Sequence, residues 1–119
     1  EKHQTEKNLF TISSYIRSHL VDYGVLECDK ENILTGFQEK PIKSYEVSMG
    51  IYMINRQILT YIPKDKPFGF DELMMVLLED QQPINIDTYN GYWLDIGRPD
   101  DYAQAIEQFS DMKSKFLNE

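Results

Sequence analysis

The hydrophobic residues of this chain follow a strand-like spacing in its first half and a helix-like spacing in much of its second half. Leu9–Arg17 is rich in β-branched and aromatic residues with partial alternation, which predicts a strand, and Ser18–Asp22 is predicted to be a loop. Tyr23–Cys28 and Ile33–Gln38 are two further predicted strands. The four polar residues between them are typical of a tight connection, so this segment is predicted to form a β-hairpin.

The most apolar segment is Val47–Ile54, which predicts a strand buried on both faces. Pro41 lacks the amide hydrogen that a central ladder needs, so the preceding strand is predicted to end before it. Gly50 interrupts the apolar segment. A glycine inside a strand marks the close approach of another backbone or a ligand, or alternatively a β-bulge.

Three helices are predicted in the second half. Asn55 can cap a short helix over Arg56–Tyr61. Asp71–Asp80 is predicted to be a helix whose apolar residues at helical spacing are Leu73, Met74, Leu77 and Leu78. The last helix is predicted from Pro99 to about Leu117, with a buried face made of Tyr102, Ile106, Phe109, Met112 and Phe116.

Ile84–Tyr89 and Tyr92–Ile96 are predicted to be strands around the tight turn Asn90-Gly91. Strands and helices alternate loosely along the chain, with hairpins between them. This order predicts an α/β fold with a mixed sheet and flanking helices. Residues 1–119 are predicted to form a single partial domain. The first residues, Glu1–Lys7, have the pattern of a helix end, so we expect the chain to be a segment of a longer protein.

Composition narrows the possible functions. The 119 residues are 41% hydrophobic and 13% aromatic, which is typical of one globular domain. A net charge of −8 disfavours nucleic acid and anionic membrane surfaces as partners, and no apolar run is long enough to span a bilayer. The chain has a single cysteine, Cys28, so it can form neither an internal disulfide nor a cysteine zinc cluster. We expect Cys28 to be half-buried and inert. A single cysteine also fits a cytoplasmic protein. The two histidines have no partner at ligand spacing, so we expect both to be surface residues.

The predicted local structure does not explain why an aspartate stands at position 95. Its neighbours have simple interpretations, since Pro99 suits the first position of a helix and Asp100 and Asp101 suit the first turn. Asp95 follows the apolar residues Trp93 and Leu94 just before that turn. Such a carboxylate is either a structural acceptor or a ligand for a positive group, and the local pattern by itself favours the structural interpretation.

Glu39 and Lys40 are the second candidate pair. A lysine fixed beside Pro41 at a strand end can hold a phosphate as a point charge, while Glu39 accepts hydrogen bonds from hydroxyls. The alternative is an exposed pair that contributes almost nothing to stability. Gly24 and Gly50 permit a ligand to approach the backbone, and the alternative for each is a bulge or tight packing.

In chain order, these pieces resemble the sugar-nucleotide pyrophosphorylases, the nucleotidyltransferases that join a sugar 1-phosphate to a nucleoside triphosphate. The resemblance covers about Leu9 to Phe109 and rests on the ordered segments Tyr23-Gly24-Val25, Gly36–Pro41, Gly50-Ile51-Tyr52 and Gly91–Tyr102. It implies the C-terminal portion of a Rossmann-like catalytic domain, with the sugar-binding half present and the nucleotide-binding half absent. The stretch that begins at Ser48 resembles mannose-1-phosphate guanylyltransferases slightly more than thymidylyltransferases.

The resemblance also implies roles. Gly24 corresponds to a backbone position that contacts the sugar, Glu39 to the acid that binds its hydroxyls and Lys40 to the base that holds its phosphate. Gly50 corresponds to the strand that lines the sugar pocket. Asp95 corresponds to a carboxylate ligand of the catalytic Mg²⁺. The implied reaction is in-line attack of the sugar phosphate oxygen on the α-phosphate of the nucleotide, with release of pyrophosphate.

Two features depart from the family. No glycine-rich phosphate loop and no first metal aspartate are recognisable, so we expect this segment by itself to be inactive and to self-associate through uncovered apolar surface. Arg98 stands where Thr or Ser caps are frequent. Two other hypotheses remain open, a non-catalytic module that binds sugar phosphates or a partner, and a structural α/β domain without a ligand.

Overall fold

The computed structural model describes residues 2–117, which form two compact units. The first unit, residues 2–89, contains α1 (Lys2–Thr5), β1 (Phe10–Leu20), β2 (Gly24–Cys28), β3 (Leu34–Glu39), β4 (Ile42–Ile54), a 3₁₀ helix (Arg56–Tyr61), α2 (Phe70–Glu79) and β5 (Ile84–Thr88). The second unit, residues 90–117, contains α3 (Pro99–Phe116). None of the described helices is both long and apolar enough to cross a membrane.

The first unit is built on a mixed sheet, as predicted. β1 lies in the middle, antiparallel to β4 and parallel to β5. The β1–β4 ladder reaches from Phe10 opposite Ile54 to Leu20 opposite Ile42. The predicted loop was therefore wrong for residues 18–20, because β4 starts directly after Pro41 and offers this end of β1 a full set of ladder partners.

β2 and β3 form the predicted hairpin as a separate two-stranded sheet. Its turn is held by Asp29, whose Oδ1 accepts hydrogen bonds from the backbone amides of Glu31 (3.0 Å) and Ile33 (2.9 Å). A short side chain that bonds to nearby backbone amides is the usual way a polar turn is stabilised. Cys28, expected to be half-buried, is exposed on this hairpin.

The core lies where β1, the 3₁₀ helix and α2 meet, and it consists of the buried side chains Phe10, Ile58, Leu73 and Leu77. Asn55 caps the 3₁₀ helix as predicted, with Oδ1 accepting from the amide of Gln57 at 3.0 Å. Leu78 does not share the buried face of α2 and is 62% exposed. Adjacent helical residues point about 100° apart, so a narrow contact stripe buries Leu77 and leaves Leu78 outside.

β4 was predicted to be buried on both faces, and this was wrong. Within the described residues it is an edge strand, and its apolar side chains Ile51, Met53 and Ile54 are about half exposed. The composition of the strand indicated burial, but the described core packs against one end of the sheet only.

The second unit corrects two further predictions. Residues 92–96 form no strand, so Asn90-Gly91 is not the turn of a hairpin. The backbone of Asp95 instead forms hydrogen bonds at the start of α3. Its amide donates to the Asp101 side chain, and its carbonyl accepts from the Arg98 amide. The apolar face predicted to be buried is instead at least half exposed at Tyr102, Ile106, Phe109 and Phe116, with Met112 partly buried, because a short segment and one helix cannot cover it.

Candidate functional site

The open end of the β2–β3 hairpin gathers three of the predicted site residues. Gly24 lies directly opposite Glu39 in the antiparallel register, and Lys40 follows immediately. The amide of Lys40 donates to the carbonyl of Tyr23 at 3.2 Å, so the pairing continues one step past the strands. The hairpin therefore fixes a glycine, a carboxylate and an ammonium group within a few residues of one another.

Lys40 has an unusual backbone and an ion pair. Its φ is +42°, a left-handed conformation that is uncommon for residues other than glycine and that often occurs at functional positions. Its Nζ lies 2.7 Å from Asp22 Oδ1, with both side chains more than half exposed. Exposed ion pairs add little stability, so the Lys40 ammonium group can leave Asp22 at little cost in free energy.

Asp22 is an ion-pair partner of Lys40 that the sequence did not indicate. The predicted partner of Lys40 was its neighbour Glu39, but the ion pair crosses the hairpin instead. The signal that identifies Asp22 is the strand register, which places the residues before Gly24 opposite those after Glu39.

Gly24 packs against the ring of Phe37, and a side chain at this position would not fit unless the ring moved. A Cβ built on it would lie 2.7 Å from Cε2 of Phe37 and 3.5 Å from Oε2 of Glu39. The tight-packing alternative is therefore confirmed, because the Phe37 ring covers this glycine.

Gly50 occupies a β-bulge. The register of β1 and β4 jumps between Ser13 opposite Ile51 and Ser14 opposite Ser48, which leaves Met49 and Gly50 unpaired. Gly50 has φ +75°, and its amide donates to Ser48 Oγ at 3.2 Å. No heavy atom of the described residues beyond its chain neighbours lies within 4 Å of a Cβ built there, so the side-chain position of Gly50 is open.

A carboxylate bridge lies beside the bulge. Oε1 of Glu46 on β4 accepts hydrogen bonds of 2.7 Å from the buried Ser14 hydroxyl on β1 and from the Thr88 hydroxyl on β5. These hydrogen bonds, Ser14 first, lower the pKa of Glu46 below its usual value. The bridge fastens all three strands of the mixed sheet together next to Gly50.

Asp95 has a structural role that the geometry makes visible. Its Oδ1 accepts from the amide of Gly97 at 3.1 Å, its carbonyl accepts from the amide of Arg98 at 2.9 Å, and its own amide donates to Oδ2 of Asp101 at 2.9 Å. Asp95 therefore organises the turn that starts α3, rather than ending a strand. Arg98 is the N-cap residue and makes no side-chain capping bond, so Asp101 fixes the entry to the helix.

Metal binding needs more ligands than Asp95 offers. Within residues 2–117 no group of three or more His, Cys, Asp or Glu side chains is placed to hold a metal ion. Mg²⁺ prefers several oxygen ligands in octahedral geometry, including water and substrate phosphates. One carboxylate does not make such a centre, so these residues fit at most a single-ligand contribution.

Two apolar cavities lie elsewhere. One of about 300 Å³ in the second unit is lined by Trp93, Phe109 and other apolar side chains, and one of about 450 Å³ in the first unit is lined by Phe10, Tyr52, Phe70 and their neighbours. Neither contains Gly24, Glu39, Lys40, Gly50 or Asp95. Their linings are dominated by apolar groups, which do not suit the phosphate chemistry implied by the sequence.

Comparison with known proteins gives a consistent result. The family model described as nucleotidyl transferase matches residues 1–112. A bifunctional sugar-1-phosphate nucleotidylyltransferase/acetyltransferase of Sulfurisphaera tokodaii is 37% identical over 84 residues, which is 66% of this chain and 21% of that protein. The catalytic subunit beta of a mannose-1-phosphate guanylyltransferase of Drosophila pseudoobscura pseudoobscura is 32% identical over 86 residues, with 71% and 23% covered.

A UTP--glucose-1-phosphate uridylyltransferase of Synechocystis is 33% identical over 89 residues, again 71% of this chain and 23% of that protein. Among solved structures, HddC from Yersinia pseudotuberculosis shares the fold with a TM-score of 0.56 at 24% identity, covering 91% of this chain and 48% of its own. The chain thus spans less than a quarter of the length of these curated relatives and about half of the solved chain.

Proposed function

Because this chain belongs to the nucleotidyl transferase family, we propose that it supplies the sugar 1-phosphate pocket of an enzyme that makes a nucleotide sugar. The reaction joins a sugar 1-phosphate to a nucleoside triphosphate and releases pyrophosphate. The observation that carries this proposal is the hairpin end, where Gly24, Glu39 and Lys40 lie together. The names of the relatives also support it, since each acts on a sugar 1-phosphate.

Each of the three residues has chemistry that suits a sugar phosphate. Lys40 offers a compact positive charge for the phosphate, and the exposed Asp22 carboxylate can be displaced from it. The Glu39 carboxylate accepts no hydrogen bond from the other described residues, so both its oxygens are available to sugar hydroxyls. Gly24 lies opposite Glu39 in the register and adds no side chain of its own beside that carboxylate.

Asp95 is proposed as one ligand of Mg²⁺ in the complete catalytic unit. When bound, the ion would neutralise phosphate charge during transfer. Asp95 Oδ1 already accepts from Gly97, and a carboxylate can accept further bonds or a cation while it keeps such a contact. Because the described residues provide a single ligand, we expect a calorimetric Mg²⁺ titration of the 119-residue chain to show no saturable binding, and saturable binding would contradict this.

Binding of sugar 1-phosphates tests the pocket. Mannose 1-phosphate and glucose 1-phosphate are titrated into the chain and into Lys40→Ala, with Lys64→Ala as a control that removes the same charge from an exposed loop. Loss of a charge-assisted hydrogen bond should weaken binding by about tenfold or more in Lys40→Ala alone. Equal affinities in all three proteins, or no binding in any, would reject the pocket.

Turnover is a separate question. The sequence has no recognisable glycine-rich phosphate loop, so we expect the 119 residues alone to release no pyrophosphate from a triphosphate and a sugar 1-phosphate. A coupled phosphate-release assay with Mg²⁺ and pyrophosphatase measures this. Robust turnover would show that the chain carries its own triphosphate site.

A second candidate is a non-catalytic module that binds sugar phosphates. It is favoured by the structural engagement of Asp95 and by the lack of a metal cluster within residues 2–117. The two functions separate in the native polypeptide: binding with turnover supports the enzyme, whereas binding without turnover supports the module.

We also propose that the isolated chain self-associates, with a second copy covering the exposed face of α3. Tyr102, Ile106, Phe109 and Phe116 are each at least half exposed on that helix. Contiguous apolar surface of this kind is typical of interaction sites. Sedimentation velocity should show a dimer that Phe109→Ser weakens, and a monomer at all concentrations would contradict the proposal.

A further inference from the structure

We propose that a second, separate site in this chain binds a phosphate-bearing anion. A cleft of about 550 Å³ lies in the first unit, between the residues around α1 and the junction of β4 with the 3₁₀ helix. Its polar lining consists of His3, Gln4, Lys7, Asn8, Asn55 and Arg56. The volume falls in the range of small-molecule sites. The sugar pocket proposed above uses none of these residues.

The charge of the cleft is the main observation. Among residues 2–117, Lys7 and Arg56 both line it, no acidic side chain does, and neither cation has an ion pair. This concentration of positive charge occurs in a chain whose net charge is −8. Two cations that line one cleft attract an anion more strongly than either does alone, so an anion of two or more charges is the ligand that this arrangement suits.

The available donors indicate phosphate in particular. The guanidinium of Arg56 can bind two phosphate oxygens in parallel, and the ammonium of Lys7 adds a point charge. Oδ1 of Asn55 is used in capping the 3₁₀ helix, which leaves its amide NH₂ as a donor. Donors of this kind match the oxygens of a phosphate group, which accept hydrogen bonds from several directions.

The walls of the cleft are fastened to the sheet. Nδ1 of His3 lies 2.7 Å from Oγ1 of Thr11 on β1, and this contact partly buries a histidine that was expected at the surface. Lys2 forms a 2.9 Å ion pair with Asp87 on β5. On the opposite wall, the amide of Asn55 donates to the carbonyl of Leu9 at 2.9 Å, which extends the β1–β4 ladder to the cleft.

The amide of Asn8 also closes the turn after α1 by donating to the carbonyl of His3 at 3.0 Å. Lys7 lies within this turn and has φ +54°, a left-handed backbone conformation that the turn imposes. A site whose walls are held by such contacts loses little freedom when a ligand binds. The nearest acidic group on this turn is Glu6, whose Oε2 accepts from Asn8 Nδ2 at 3.0 Å.

Calorimetric titration with inorganic pyrophosphate at constant ionic strength tests the proposal. The unaltered chain should bind saturably, and Lys7→Asn and Arg56→Gln should each weaken binding by about tenfold. Asn suits position 7 because it tolerates positive φ. Lys30→Asn, which removes the same charge from the hairpin turn, should leave the dissociation constant unchanged, and Glu6→Gln should tighten binding.

The outcome separates this site from the sugar pocket. Lys7→Asn should lose pyrophosphate affinity but keep the affinity of the unaltered chain for sugar 1-phosphates, because the sugar pocket does not use Lys7. Circular dichroism of each variant shows whether the fold is intact. Arg56→Lys keeps the charge but not the two parallel donors, so it should weaken binding less than Arg56→Gln does. Absence of saturable pyrophosphate binding, equal weakening by Lys30→Asn, or an equal loss of sugar 1-phosphate binding in Lys7→Asn would overturn the proposal.

Discussion

The main-chain amide of Asp95 donates a 2.9 Å hydrogen bond to the carboxylate of Asp101. Asp101 is 2% exposed and is the buried residue of α3, whereas the carboxylate of Asp95 serves the adjacent turn through Gly97. Two acids six positions apart thus have different tasks. Asp101 fixes the segment to the helix, and Asp95 presents a carboxylate from the fixed segment.

Replacement of Asp101 should destabilise the second unit. Asp101→Ala removes a buried charged acceptor and leaves the Asp95 amide without its partner, which should lower the free energy of unfolding by about 1–3 kcal/mol. Asp100→Ala changes an exposed acid in the same turn and should cost about 0.3–1 kcal/mol. Trp93, the single tryptophan, reports unfolding of this unit by fluorescence in urea. Equal losses in the two variants would show that Asp101 acts only through the helix dipole.

Release of Lys40 from its ion pair should favour ligand binding. Asp22→Asn keeps the size of the side chain but removes the charge that lies 2.7 Å from Lys40 Nζ. A phosphate would then no longer compete with a carboxylate, so we expect tighter binding of sugar 1-phosphates, by about twofold to fivefold, and little change in stability. Asp65→Asn, in an exposed loop, serves as the charge control. Weaker binding by Asp22→Asn alone would mean that Asp22 positions Lys40 for the ligand.

The backbone of Gly50 should resist substitution for conformational reasons alone. Space is available for a Cβ, but φ +75° is unfavourable for L-residues, so Gly50→Ala should lower the free energy of unfolding by about 1–2 kcal/mol. Gly50→Asn should lose less, because asparagine tolerates this region. Urea titration compares the two variants. Equal losses would point to a contact of the added side chain instead of backbone strain.

The Glu46 bridge should make the stability of the first unit depend on pH. The folded pKa of Glu46 lies below its ordinary value of 4.5, so its contribution is fully present above about pH 4.5 and is lost as pH falls through the folded pKa. Glu46→Gln does not titrate and should show a flatter fall in urea midpoint between neutral and acidic pH. Thr88→Val, which removes one hydroxyl donor, should move the loss to higher pH. Identical pH profiles for Glu46→Gln and the unaltered chain would exclude the bridge as the cause.

The parts of the fold that rest on local chemistry were predictable from sequence. The Asp29 turn, the Asn55 cap and the Pro99 helix start depend on neighbouring residues, and all three are found as expected. The mixed sheet was also predicted, since short strands alternate with helices. Turns and helix caps depend on a few side chains that are adjacent in the sequence, so the sequence identifies them directly.

Burial was less predictable, because it depends on what packs against an element. The apolar pattern of β4 and of α3 indicated buried faces, yet Met53 and Phe109 are about half exposed in this chain. A pattern gives the face that prefers burial and does not identify the partner that covers it. The predicted strand at residues 92–96 failed for a different reason, since the Asp101 side chain takes the Asp95 amide that a ladder would need.

The candidate site was predictable only in part. Gly24, Glu39 and Lys40 were identified from their resemblance to a family, and the register brings them together. Asp22 was missed because its partnership with Lys40 crosses the hairpin. The interpretation of Gly50 needed backbone angles, which distinguish a bulge from a close approach.

The bulge at Met49 and Gly50 has a consequence for how this chain tolerates change in length. Side chains on a strand alternate between the two faces of the sheet with a period of two. The two extra residues of the bulge therefore leave the residues on either side of it on their original faces. Removal of both residues would give a continuous ladder in which Val47 and Ile51 keep their present faces. Removal of one would turn over every side chain on one side of the bulge. We therefore expect β4 to tolerate insertions and deletions at this point in pairs.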